Sequence, residues 1–158
     1  MATSYHPSQI RAAEAHATTA EWRRSDRIGQ GGGEIAQCVR LLRHTRQSMT
    51  LFRMAFAGLD GDTAEWLAQA EFGEDGIVER LADGAVALLI FNGAAPGQDP
   101  VIGVARRLRR ALRQHGVASL CYVELSFVER CTVTVGDLDE LLAELSGQHP
   151  WLIHGTQA

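Results

Sequence analysis

Apolar positions recur along the chain in two periods, and the switches between them mark out its elements. From residue 34 the spacing is helical. Ile35, Cys38, Val39 and Leu42 share one face of a predicted helix over 34–47, with Arg40, Arg43 and Arg46 around the rest. The pattern then tightens at 48–57 (SMTLFRMAFA), where Leu51, Phe52, Met54 and Phe56 supply the bulk of a strand. GLDGD at 58–62 is turn chemistry. A short helix over 63–72 follows, with Trp66, Leu67 and Ala70 on one side and Asp62 as its cap. Two strands, 76–81 and 85–91, flank the turn Ala82-Asp83-Gly84, which is a hairpin signal. The unbroken run AVALLIF predicts a central strand covered on both faces. Pro100 opens a helix to about His115, with Val101, Ile102, Ala105, Leu108 and Leu112 inward and arginines outward. Residues 119–128 alternate as a strand, with Cys121, Val123, Leu125 and Phe127 on one face. An acidic helix over 134–145 turns Leu138, Leu141, Leu142 and Leu145 inward, with Thr134 and Asp137 in capping-box positions. Residues 147–158 read as a tail in which Trp151, Leu152 and Ile153 dock on the body.

The first 33 residues follow a different pattern. Pro7 suits the first turn of a helix over 7–24, whose stripe of Ile10, Ala13, Ala17 and Ala20 is narrow and built of small side chains. Such a helix buries little by itself and is expected to pack on another surface, including a second copy of itself. The three consecutive glycines of 25–33 (SDRIGQGGG) break it, and the stretch lacks the GK[ST] ending of a phosphate loop. The expected organisation is a helical extension at 1–24, a Gly-rich linker at 25–33, an α/β domain at 34–146 and a tail at 147–158. Candidate self-association residues are Ile10, Ala13 and Ala17 of the extension, and Ile35, Val39 and Leu42 of the helix after the linker.

Composition narrows the function classes. The chain has 158 residues, 46% hydrophobic and 22% charged, with a formal net charge of −4, so no global positive field recruits nucleic acid or anionic lipid. The longest strongly apolar stretch, 85–91, is far below the roughly 20 residues that span a bilayer, and the start of the chain lacks the order of a signal peptide. A cytoplasmic protein without membrane insertion is expected. Cys38, Cys121 and Cys131 form no CxxC pair, and the six histidines show no HxxxH or HExxH spacing, so no metal site or cofactor is expected. No catalytic triad or paired-carboxylate motif emerges either.

The central order is β-α-β-β-α-β, which is ferredoxin-like and places the chain in the α+β class. The local sequence resembles the GGDEF (diguanylate cyclase) family over roughly 20–146. Asp26 and Ile28 in SDRI match the family's Asp-x-Leu-Thr-Gly-Leu opening motif. GIVERLADGAVALLIF is similar to the family hairpin, with Arg80 on its arginine and the LLI run on its buried strand. The resemblance implies a nucleotide cyclase-like core behind an N-terminal helical stalk. The departures lie at the chemistry. The signature falls on Ala82-Asp83-Gly84-Ala85-Val86, so Gly84 and Ala85 replace the acidic pair. Near the family's first-strand metal position only Asp60 carries a carboxylate. At the position of the inhibitory RxxD stand Phe72 and Gly73.

The resemblance therefore implies a catalytically inactive regulatory or scaffolding module in bacterial signalling, working through a protein partner or self-association into a homodimer. The alternative is a receptor for cyclic di-GMP or GTP without turnover. Arg80, Asp83, Arg106 and Arg110 are then the candidate ligand-binding residues.

Overall fold

The computed structural model describes residues 33–91, 99–115 and 121–155. Among these, four α-helices flank a five-stranded antiparallel sheet, giving an α+β architecture. The elements are α1 (Glu34–Leu42), β1 (Ser48–Ala57), α2 (Gly61–Phe72), β2 (Ile77–Arg80) and β3 (Val86–Phe91). After them come α3 (Pro100–Gln114), β4 (Tyr122–Cys131), a 3-10 turn (Thr132–Thr134), α4 (Leu138–Gly147) and β5 (Trp151–His154).

The strand order is β2-β3-β1-β4-β5, so β1 is central and every neighbouring pair runs antiparallel. Side chains alternate across the sheet and feed two separate cores. On one face Met49, Leu51, Ala87, Leu89 and Val128 meet Ile35, Val39 and Leu42 of α1 and Leu141 and Leu145 of α4. On the other face Phe52, Met54, Val86, Leu88, Val123 and Leu125 meet Ala64, Ala68 and Phe72 of α2 and Val104, Leu108 and Leu112 of α3. The apolar run of β3 is thus explained by helices on both sides, as its sequence predicts.

The β2–β3 hairpin turns where Asp-Gly predicts. Gly84 adopts a φ of +87°, a conformation that favours glycine, and Asp83 Oδ1 accepts a hydrogen bond from Ala85 N at 3.0 Å. Several boundaries differ from the expectation for local reasons. α1 stops at Leu42 rather than 47, because residues 43–47 must carry the chain onto the sheet. There Thr132 Oγ1 accepts from Gln47 N at 2.9 Å and donates to Thr45 O at 3.2 Å. Asp60, and not Asp62, caps α2, accepting from Thr63 N at 2.8 Å. Asp137 caps α4, while Thr134 lies in the preceding turn and donates to Cys131 O at 2.7 Å. Residues 151–154, read as a tail, add strand β5 to β4, and Ile153 enters the α2–α3 core.

One correction concerns the self-association candidates. Ile35, Val39 and Leu42 are 1%, 3% and 7% exposed because they are the side of α1 that packs on the sheet, so none is available to a second copy. Ile10, Ala13 and Ala17 lie outside the described residues.

Candidate functional site

The end of the sheet where β1, the β2–β3 turn and the start of α2 converge holds a cavity of about 270 Å³. Arg53, Ala55, Leu59, Gly61, Arg80 and Asp83 contribute to its walls. Two arginines supply its character. Arg53 projects from the middle of β1, opposite Ala87 of β3 and Ser126 of β4. Its guanidinium donates to Asp83 Oδ2 at 2.6 Å, across the hairpin turn. That hydrogen bond, with help from Ala85 N, holds the Asp83 carboxyl below its usual value against a partial burial that pushes the other way.

Arg80 ends β2 and donates to Asp62 Oδ1 at 2.6 Å, with Glu65 Oε2 at 3.9 Å. Gly61 makes this approach available, since a Cβ there would overlap the Arg80 guanidinium. A cation at a helix N-terminus faces the positive end of the helix dipole. Asp62 in the first turn of α2 offsets it. Asp60 is committed to the same helix start. Thr63 N and Thr63 Oγ1 both donate to it at 2.8 Å and lower its pKa, the backbone bond most strongly.

The four ligand candidates from the sequence therefore fall into two groups. Arg80 and Asp83 share the cavity, although each is paired to a different partner. Arg106 and Arg110 do not reach it. Arg110 donates to Glu71 Oε1 at 2.8 Å, near the other end of α2 from Asp60, roughly 15 Å away along a helix of that length. Arg107 reinforces that contact, binding Glu71 Oε1 at 3.0 Å, the Glu71 carbonyl, and Asp75 Oδ2 at 2.7 Å, with its guanidinium 4.7 Å above the Phe72 ring. These bonds raise the Arg107 pKa although burial, the largest influence, lowers it. Arg106 is exposed on a different flank of α3. Sequence reading missed Arg53. Its signal was present as the single charged residue of a ten-residue strand.

Among the described residues, no three His, Cys, Asp or Glu side chains are grouped to hold a metal ion. Cys38 and Cys121 are buried free thiols, and Cys131 is half-buried. No described helix is long and apolar enough to cross a membrane. The arrangement at the cavity can present two guanidiniums to an anion if their carboxylate partners yield, but it offers no free carboxylate pair. Comparison of the chain with protein-family models, curated proteins and solved structures returned no match.

Proposed function

We propose that this protein is a non-catalytic GGDEF-like module on a ferredoxin-like β-α-β-β-α-β core, acting in the bacterial cytoplasm through protein contacts. The strand order β2-β3-β1-β4, with α2 and α3 on one face, supports the core assignment. One observation carries the functional reading. The two carboxylates left near the place of cyclase chemistry are already in use, Asp60 as the cap of α2 and Asp83 as the partner of Arg53. Two-metal phosphoryl transfer needs carboxylates that hold the ions and leave them open to the triphosphate. A guanidinium at that position repels divalent cations instead.

The test is incubation of the purified chain with GTP and Mg²⁺, followed by chromatography of the products. No cyclic di-GMP is expected, and its formation would overturn the reading. The second reading, nucleotide binding without turnover, is favoured by the two arginines and the start of α2 around one cavity. A thermal unfolding scan separates the two. A nucleotide at 100 times its Kd stabilises by about 2.7 kcal/mol, a shift of several degrees, and the scaffold reading expects none with GTP or cyclic di-GMP.

A further inference from the structure

The two margins of the sheet are finished differently. β2 (IVER) carries two charges, and the Glu79 carboxylate accepts from Ile35 N at 3.0 Å, so the start of α1 sits against it. Charge and a covering element are the usual means of closing an edge to further strands. β5 (WLIH) has neither an acid nor a lysine or arginine, and no proline inside it. Among the described residues it pairs with β4 alone, from Tyr122 with His154 to Leu125 with Trp151. Trp151 and Leu152 are 48% and 55% exposed.

The arginines of α3 divide between two flanks. Arg107 and Arg110 face α2 and are neutralised by Glu71 and Asp75. Ile102, Arg106, Arg109 and Arg113, at spacings of four, three and four, line the opposite flank. Arg113 Nε donates to Gly155 O at 2.8 Å, which ties that flank to the residue after β5. Among the described residues, no carboxylate pairs with Arg106, Arg109 or Arg113. A local positive stripe thus runs beside an apolar edge that no further described strand pairs with, in a chain whose formal net charge is −4.

We propose that the β5 edge and this stripe form a docking site for an extended acidic peptide of a partner protein, added as a sixth strand. Strand addition draws affinity from main-chain hydrogen bonds and specificity from alternate side chains. On β5, Ile153 points into the α2–α3 core and Trp151 lies edge-on to Phe127, with ring centroids 5.9 Å apart. Leu152 points to the opposite face. An added strand therefore presents every second residue toward the α3 arginines and the others toward Leu152, which selects alternating acidic and apolar residues. A second copy of this chain fits less well. An antiparallel β5–β5 contact keeps each face on its own side, so it sets two arginine stripes side by side. Nucleic acid shares the attraction to arginine but has no peptide backbone to pair with an edge. The inference rests on the protein-contact reading above and names its surface, without needing the cyclase resemblance.

The experiment uses the full chain and a fluorescein-labelled Glu-Val-Glu-Val-Glu-Val peptide in an anisotropy titration, with Lys-Val and Glu-Pro repeats as controls. Saturable binding below about 1 mM is expected for the Glu-Val peptide only, weakening with salt. Proline removes the main-chain donors, and lysine reverses the charge. Arg106→Glu, at an exposed position, should weaken binding by about fivefold. Hydrogen exchange should show new protection at 151–154. Equal binding of either control peptide, protection elsewhere, or no binding of the Glu-Val peptide would overturn the proposal. So would a concentration-dependent dimer that protects β5 without peptide. Cyclic di-GMP synthesis in the earlier assay would sink the non-catalytic reading and leave this result standing. Failure of the peptide to bind would do the reverse.

Discussion

The cap on α1 yields a prediction in which one substitution changes sign. α1 has no side-chain cap of its own, since Gly33 occupies that position. Glu79 on β2 replaces it from 44 residues away, accepting from Ile35 N at 3.0 Å. Gly33 has a φ of −69° in the extended region, so alanine is conformationally acceptable there. A Cβ at that position would nevertheless overlap the Glu79 carboxylate, the far end of a flexible side chain that can swing away and release its bond. Gly33→Ala therefore loses a cap worth about 1 kcal/mol and gains about 0.5 kcal/mol from a less flexible unfolded chain. The net is a destabilisation of about 0.5 kcal/mol. In a Glu79→Ala background the cap is already gone, and Gly33→Ala should stabilise by about 0.5 kcal/mol. The coupling of about 1 kcal/mol corresponds to roughly 2–4 °C for a chain of this size. Equilibrium urea unfolding of the four proteins, followed by circular dichroism, measures it. Since Glu79 makes further contacts, the cost of Glu79→Ala alone does not decide the matter. Equal effects of Gly33→Ala in both backgrounds would refute the reasoning.

Three further outcomes follow from the geometry. Thr132 is fully buried and bonds both Gln47 N and Thr45 O, so Thr132→Val should cost about 1–3 kcal/mol in urea unfolding, and Thr132→Ser should retain most of that stability. Arg107→Met should destabilise by about 1–2 kcal/mol, because it strips bonds from the largely buried Glu71 while Arg110 keeps one; a cost below that of a typical surface substitution would refute it. Asp83 has a lowered folded-state pKa, so its contribution is fully present above the ordinary carboxylate value of 3.8 and is lost as pH falls below it. Because Asp83 is half exposed, that contribution stays below about 1 kcal/mol. The stability difference between wild type and Asp83→Asn should be flat near neutral pH and shrink in acid, and Arg53→Met should abolish the trend.

Short-range chemistry made much of this fold legible in the sequence. Strand 48–57 was bounded correctly, because bulky apolar residues end there in turn residues on the one side and polar ones on the other. Asp83-Gly84 located its hairpin, since few residues other than glycine tolerate a φ of +87°. The unbroken β3 run announced a strand covered on both faces, since burial on two sides leaves no polar positions. Tertiary structure decided what depends on distant partners. The helix starts at Gly61, which leaves Asp60 as its cap and places Asp62 in the first turn, where only the fold brings Arg80 to it from 18 residues further on. WLIH reads from sequence as part of a docking tail, and only β4 makes it a strand, because a four-residue strand gains its hydrogen bonds only from a neighbour. The arginines of α3 look alike along the chain. Packing of α2 against one flank alone separates a neutralised pair from a stripe that no described carboxylate pairs with, because pairing depends on spatial proximity and not on sequence order.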